Sequence, residues 1–207
     1  MTRLLALVVI LALPACAPSL VRTDVTRFHR LDTPAAADRA FTILPREDQR
    51  GSLEFQRYAD LVAAQLARRG WRPVPASGPA EAVVFLDWGA GEPRTVTWQS
   101  PSSVYSGFGW GPRSHWYGAG VGIPLGDPFP YWETRSATYY PKWMRVEILE
   151  AGAWREQDRR VLFEGRAVTE GGRREIAPVM PYLVEALFTG FPGASGTTVN
   201  VDVPIRE

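Results

Sequence analysis

Cysteine is almost missing from this chain of 207 residues, which contains a single one, Cys16. A lone cysteine cannot form a disulfide within the chain, so the fold has to be held together by its core. Histidine is nearly as scarce, and the two that are present, His29 and His115, lie far apart in the sequence. Because there is neither a cysteine pair nor an H-E-x-x-H motif, the sequence predicts no bound metal and no cofactor.

The usual catalytic motifs are missing too. No G-x-S-x-G stretch marks a serine nucleophile, and the glycines at 107, 109 and 111 lead into Pro112, not into a helix that would receive a phosphate. Glu147 and Glu150 are candidates for a pair of carboxylates that cleaves glycans. Glu147, however, falls on the polar side of an alternating strand, where we expect exposure to solvent. We therefore predict that the protein is not an enzyme.

The chain has no surplus of charge. It carries 23 Lys and Arg against 22 Asp and Glu, and Lys142 is its only lysine. A protein that binds the phosphate backbone usually shows a basic patch or a basic net charge. We therefore expect no nucleic-acid partner.

Long hydrophobic runs are also lacking. The longest begins at Leu4 and ends at Leu13, and about 20 apolar residues are needed to span a bilayer as a helix. This length is typical of a signal peptide, which we place at residues 1–15. The following Leu13-Pro14-Ala15-Cys16 resembles the lipobox of bacterial lipoproteins. The resemblance implies that Cys16 is the site of lipid attachment, that acyl chains hold the protein to the membrane, and, since Ala17 follows, that it faces the periplasm from the outer membrane of a Gram-negative cell. The alternative is ordinary signal-peptidase cleavage after Ala17, since Ala15-Cys16-Ala17 fits an A-x-A site.

The periodicity of apolar residues predicts two helices. Phe55, Tyr58, Val62 and Leu66 form one stripe of a helix over 53–69, with Ser52 as its N-cap. A second stripe predicts a helix over 178–190 that begins at Pro178. Short apolar or alternating runs predict strands at residues 25–31, 40–44, 82–86, 95–98, 142–149, 160–169 and 197–203.

These elements predict an α+β fold. We expect a two-layer sandwich, with a mainly antiparallel sheet of 4–6 strands and both helices on one face. Strand 95–98 is expected to pair with 82–86, and strands 142–149 and 160–169 to form a hairpin, with the tail at the edge of the sheet. The organisation is an acylated Cys and tether over 16–24, then a single domain over 25–207 with an insertion at about 100–137.

Several of these segments resemble a bacterial lipoprotein family known as domain of unknown function 4136. The shared features are the lipobox Cys16, a segment like Phe41–Pro45, the helix around Tyr58–Leu66, the apolar strand Ala82–Leu86, the late strand pair and a final Phe191-Pro192. The resemblance implies an envelope lipoprotein with an α/β fold. The family has no established activity, so the resemblance implies no catalytic residues.

Glycine and aromatic residues are concentrated between residues 88 and 140, a stretch that holds half of the aromatic side chains of the chain. Disordered linkers contain few aromatics, whereas repeated glycines disfavour a helix and weaken a strand. We consider three interpretations of this stretch: rings that cover the open face of the sheet, rings that bind a sugar or peptide, and a loop that becomes ordered against an envelope protein, a membrane or a second copy. The candidate contact residues are Tyr105, Phe108, Trp110, Arg113, His115, Trp116 and Tyr117.

The function expected from the sequence is that of a lipid-anchored envelope protein, a non-catalytic accessory or assembly module that acts through protein contacts. The alternative is a periplasmic module that uses the aromatic loop to bind a peptide or a cell-wall glycan.

Overall fold

The structure is a computed structural model that describes residues 19–31, 38–102 and 131–206. These residues form eight strands, three α-helices and one 3-10 helix, Glu47–Gln49. In chain order the elements are β1 (Leu20–His29), β2 (Ala40–Ile43), α1 (Leu53–Ala67), β3 (Arg72–Pro73), β4 (Ala82–Ala90), β5 (Arg94–Ser102), β6 (Tyr131–Glu150), α2 (Ala151–Arg155), β7 (Val161–Gly171), α3 (Met180–Phe188) and β8 (Thr197–Pro204).

The strands form one mixed sheet in the order β3-β2-β4-β6-β7-β1-β8, with β5 paired to β6 outside this path. The pairings of β2 with β3 and with β4 are parallel, and the other pairings of the described strands are antiparallel. The predicted α+β class is confirmed. The predicted counts of 4–6 strands and two helices are lower than the eight strands and three α-helices of the structure. Of the elements without a sequence prediction, β3 and α2 are too short to produce a periodic pattern.

Helix α1 begins and ends close to where its sequence predicts. The Ser52 hydroxyl accepts a hydrogen bond from the backbone N–H of Phe55 at 3.1 Å, so it satisfies one of the free donors of the first turn. The predicted stripe of Phe55, Tyr58, Val62 and Leu66 is buried. Helix α3 begins at Met180, two residues after the proline proposed as its start.

The main core lies between the sheet and the two longer helices. Leu66 of α1, Leu183 and Leu187 of α3 and Val146 of β6 are all fully buried in one apolar cluster. Both predicted helices therefore pack on the same face of the sheet. Strand β4 is buried on both faces, since Val84 and Leu86 join this cluster whereas Val83 and Phe85 join a second cluster beside α2.

Strand β1 contributes a buried arginine that completes the end of α3. Arg27 is 5% exposed, and its guanidinium donates to the carbonyl oxygens of Ala186, Leu187 and Thr189 at 2.8–3.1 Å. The last carbonyls of a helix lack partners within the helix, and a cation is favourable at that end. Burial lowers the pKa of Arg27.

Three predictions about the connections are corrected. The tether predicted over 16–24 is wrong from residue 20 onward, because β1 begins at Leu20, which pairs with Pro204 of β8. Strand β5 pairs with β6 and not with β4, because β4 and β5 follow one another along the same edge of the long strand β6. The insertion predicted over 100–137 is also corrected, because its described residues belong to the end of β5 and the start of β6.

Two further predictions are confirmed. Strands β6 and β7 form the expected antiparallel hairpin, and its connection contains α2. The C-terminal strand β8 pairs with β1 at the edge of the sheet. No helix within the described ranges is both long enough and apolar enough to span a membrane.

Candidate functional site: an ion-pair network between two grooves

The face of the sheet away from α1 and α3, here called the open face, carries a buried carboxylate. Glu147 of β6 is only 2% exposed, so the prediction that it is solvent-exposed is wrong. Its two oxygens accept hydrogen bonds from Arg46 at 2.9 Å, from Arg145 at 2.7 Å and from Arg159 at 2.7 and 2.8 Å. A buried carboxylate is tolerated when it is paired and hydrogen-bonded, and three guanidinium groups meet that condition here.

Arg46 is placed by the chain that links β2 to α1. The buried Gln49 accepts from the Arg46 backbone N–H at 3.0 Å and donates to the Leu86 carbonyl at 2.8 Å, which ties this connection to β4. The Arg46 side chain then makes a bidentate pair with Asp87 at 2.7 and 2.8 Å. Hydrogen bonding to Asp87, and after it to Glu147, raises the pKa of Arg46.

The network continues across to β7, where Arg145 also pairs with Glu164 at 2.8 Å. Three guanidinium groups are thus balanced by the carboxylates of Asp87, Glu147 and Glu164. A balanced, mutually hydrogen-bonded cluster of this kind holds strands and loops together. We call this cluster the Glu147 network.

Two grooves lie on either side of the Glu147 network. The first, here called the α1 groove, has a volume of about 480 Å³ and is lined by Asp48, Gln49, Ser52, Glu54, Asp87, Trp88, Trp143 and Arg145. The second, here called the β7 groove, has a volume of about 540 Å³ and is lined by residues that include Phe28, His29, Arg30, Arg159, Arg160 and Glu164. Both volumes fall within the range of roughly 300–1,000 Å³ that is usual for small-molecule sites.

The α1 groove combines two indole rings with carboxylates. Trp143 packs over Gly89, where a Cβ atom would lie 3.1 Å from the ring. Trp88 makes an edge contact with Tyr58, with ring centroids 5.0 Å apart, and the Tyr58 hydroxyl donates to Glu54 at 2.8 Å. Burial, and after it the hydrogen bond to Glu54, raises the pKa of Tyr58. The groove therefore offers apolar surfaces beside hydrogen-bond acceptors.

Arg145 also lines the α1 groove. Its Nε atom is buried and has no hydrogen-bond acceptor among the described residues. Its Nη2 atom is used by Glu147 and Glu164. A buried donor without a partner costs free energy.

The contact residues predicted from the sequence, Tyr105 to Tyr117, lie outside the described residues, and so does Cys16. The described open face carries ion pairs such as Arg22 with Asp202, and Phe28 is a large apolar side chain exposed on it. Sequence reasoning missed the Glu147 network because its members come from five separate segments. A weak indication was present in the arginines and carboxylates of neighbouring strands.

Metal binding receives no support from the described part of the chain, in which no three His, Cys, Asp or Glu side chains are close enough together to hold an ion.

Fold and site together define a small α+β protein whose mixed sheet has one helix-covered face and one charged face. The chain belongs to the family described as domain of unknown function (DUF4136), whose model matches residues 21–193. The resemblance predicted from the sequence is therefore confirmed. No curated protein matches the chain.

Two solved structures are similar to parts of this fold. A PDZ domain protein from Parabacteroides distasonis is 12% identical with a TM-score of 0.42, and the match covers 89% of this chain and 40% of that one. A PelC dodecamer from Paraburkholderia phytofirmans is 11% identical with a TM-score of 0.40, and the match covers 81% of this chain and 95% of that one.

Proposed function

We propose that this chain is a lipid-anchored protein of the cell envelope, facing the periplasm, and that it works by binding and not by catalysis. The proposal that the protein works by binding rests on the Glu147 network. Its three guanidinium groups and three carboxylates are bonded to one another around the buried Glu147, which favours a structural role for the cluster. The first part rests on the lipobox-like Leu13–Cys16.

The anchor is tested by changing Cys16 to Ala. We expect the wild-type chain to incorporate an alkyne-tagged fatty acid and to sediment with membranes, and the Cys16→Ala chain to do neither. A diacyl anchor buries many methylene groups at about 0.8 kcal/mol each, so its loss should release the protein. Incorporation of the fatty acid into the Cys16→Ala chain would refute the anchor.

An accessory role predicts a protein partner, and we propose that the partner contacts the open face. Phe28 on β1 is 54% exposed and pairs with Glu164, so it lies on this face beside the Glu147 network. A large apolar side chain held beside fixed charges is a common feature of the centre of an interface.

The partner is tested with a photo-crosslinking amino acid at position 28 in living cells. We expect one adduct of constant mass, and none from the same amino acid at Leu53, which is 80% exposed at the start of α1. Equal crosslinking at both positions would argue against a specific partner on the open face.

The second candidate is the binding of a saccharide, favoured by the α1 groove. An uncharged sugar donates and accepts hydrogen bonds through each hydroxyl, so it fits a wall that offers the carboxylates of Asp48 and Glu54 together with the guanidinium of Arg145. Trp143 lines the same groove, with the Arg166 guanidinium 5.8 Å from the centre of its ring, and adds apolar ring surface beside these polar groups.

Calorimetric titration with chitotriose tests this candidate. Trp143→Phe is expected to weaken binding, and Trp154→Phe, which lies outside the groove, serves as the matched control. No binding, or the same affinity for both variants, would refute the saccharide site.

A further inference from the structure

Strand β6 continues past the end of the main sheet, where its residues 131–139 pair with β5 to form a two-stranded ribbon. Nine residue pairs run from Arg94↔Tyr139 to Ser102↔Tyr131. Among the described strands, neither half of the ribbon pairs with anything else. At about 3.3 Å per residue the ribbon is roughly 30 Å long, and an isolated two-stranded ribbon is only marginally stable in water.

The ribbon leaves the sheet at the end where β1 begins. Strand β6 first meets β7 at the pair Tyr140↔Gly171, at the C-terminal end of β7. Because β1 is antiparallel to β7, with Asp24 opposite Val168, the N-terminal end of β1 lies at that same end of the sheet. The strand order therefore places the start of β1 at the same end of the sheet as the base of the ribbon, which is the point near Tyr140 where the ribbon joins the sheet.

Only a short stretch of chain links Cys16 to this end of the sheet. Three residues separate Cys16 from Leu20, the first residue of β1. Four steps of at most 3.3–3.6 Å span only about 14 Å. If Cys16 carries the acyl anchor, as proposed above, this linker keeps the end of the sheet near the lipid surface. The distance that the linker can span is shorter than the ribbon itself.

The two faces of the ribbon differ in chemistry, because side chains alternate along each strand. One face carries the hydroxyl and amide side chains of Thr95, Thr97, Gln99, Thr134, Ser136 and Thr138. The opposite face carries Val96, Trp98, Ala137 and Tyr139 together with charged residues. Trp132 is an exception, since it lies on the hydroxyl face near the end of the described ribbon.

The charged residues of the apolar face are already paired. Arg94 bonds Glu170 at 2.7 Å and Arg135 bonds Glu133 at 3.1 Å. Trp98 is 44% exposed and Val96 is 37% exposed. A protein partner recognised by charge would need free ions on this face, whereas tryptophan, tyrosine and paired ions suit the boundary between lipid and water.

We propose that the ribbon lies against the membrane surface and that the face of Val96, Trp98, Ala137 and Tyr139 contacts the lipid. This inference rests on the proposed anchor at Cys16. The acyl chains hold the protein to the membrane, and the ribbon gives it one orientation, with the start of β1 and the Val96 and Trp98 face of the ribbon toward the lipid.

Nitroxide labels on the full-length, acylated chain test this orientation. Single cysteines at Val96 and Ala137 report the apolar face, and cysteines at Thr97 and Ser136 report the hydroxyl face. A cysteine at Thr198 of β8 reports an exposed position on the sheet. Each chain is reconstituted in vesicles of phosphatidylethanolamine and phosphatidylglycerol, and the accessibility of each label to oxygen and to a water-soluble nickel chelate is measured.

We expect Val96→Cys and Ala137→Cys to gain accessibility to oxygen and lose accessibility to nickel in vesicles, relative to the same chains in detergent. Thr97→Cys and Ser136→Cys should change less, and Thr198→Cys should not change. Nickel accessibility at all four ribbon positions equal to that at Thr198→Cys would overturn the inference. Protection of the apolar face in cells but not in protein-free vesicles would assign it to a protein partner and also overturn it.

The wild-type chain distinguishes the failure of this inference from the failure of the anchor. Cys16 is its only thiol, and an acylated cysteine takes up no label. Labelling of the wild-type chain would show that the anchor itself is wrong. An unlabelled wild-type chain with water-exposed ribbon positions would leave the anchor intact and refute only the orientation.

Discussion

On the helix-covered face of the sheet, Val146 and Ile148 of β6 lie in an apolar cluster with the leucines of α3. The residue between them, Glu147, points to the open face and is surrounded by guanidinium groups. Neighbouring residues of one strand are thus buried to a similar extent for opposite reasons. The helix-covered face is stabilised by removing apolar surface from water, and the open face by satisfying charge with charge.

The two faces should therefore respond differently to mutation and to salt. Loss of an apolar contact does not depend on ionic strength, whereas interactions between charges near the surface are screened by salt. The following predictions use this difference, from the largest expected effect to the smallest.

Phe163→Ala should have the largest effect. Phe163 is fully buried on the helix-covered face and packs against Phe191, with ring centroids 4.9 Å apart. We expect the free energy of unfolding to fall by about 3–5 kcal/mol, the usual cost of replacing a buried phenylalanine with alanine. Urea denaturation at low and high salt should give the same loss. Phe28→Ala on the open face is the matched control, and an equal loss in both variants would contradict the comparison.

Glu147→Gln should have an intermediate effect that depends on salt. The change leaves three guanidinium groups around a neutral amide, although these groups are themselves partly solvated. We expect a loss of about 2–3 kcal/mol at low salt that becomes smaller at high salt as the repulsion between the arginines is screened. Glu133→Gln, in a pair whose two side chains are both exposed, should change stability by at most about 1 kcal/mol. A loss for Glu147→Gln that is independent of salt would mean that packing, not charge, sets the role of this residue.

Lys142→Met removes a buried cation from the helix-covered side of β6. Among the described residues, no carboxylate forms a direct ion pair with Lys142. The Lys142 side chain is 3% exposed, and its ammonium group donates to the Arg173 carbonyl at 2.7 Å. Burial lowers its pKa, against an opposing effect of Glu175. The native state therefore releases this proton at a lower pH than the unfolded chain, and the wild-type protein gains stability as the pH rises through the lowered pKa.

The methionine variant should therefore be more stable than the wild type near pH 7, and its advantage should shrink toward pH 10. Paired thermal unfolding curves across this range measure the difference. An advantage that grows with pH would contradict the burial of a charged Lys142.

Arg22→Gln should have the smallest effect. Arg22 is 76% exposed and pairs with Asp202 at 3.2 Å on the open face, away from the Glu147 network. Exposed pairs contribute about 0–1 kcal/mol, because both ions are solvated and screened. A loss as large as that of Glu147→Gln would show that the whole open face, and not only its buried network, depends on ion pairs.

Much of the fold could be predicted from local patterns. The stripe of Phe55 to Leu66 with its Ser52 cap predicted α1, and the alternation at Met144, Val146 and Ile148 predicted which side of β6 is apolar. The short elements β3 and α2 were missed, because two to five residues produce no period. The partner of β5 was assigned incorrectly, because a strand sequence specifies its faces and not its neighbour.

The candidate site was harder to predict. Alternation correctly placed Glu147 on the other face of the strand from Val146 and Ile148. The same reasoning predicted, wrongly, that its side chain is exposed. Its burial depends on Arg46, which follows β2, and on Arg159, which follows α2. No pattern within one segment contains that information.

The sequence by itself determined the family, the α+β class, the two main helices with their buried faces, and the apolar sides of β6 and β7, because these depend on residues a few positions apart. Only the tertiary structure decided that Glu147 is buried among three arginines, that two grooves flank this network, and that the ribbon leaves the sheet beside the start of β1. Those features depend on contacts between segments as far apart as Arg46 and Arg159, and such contacts exist only once the strands have been ordered in the sheet.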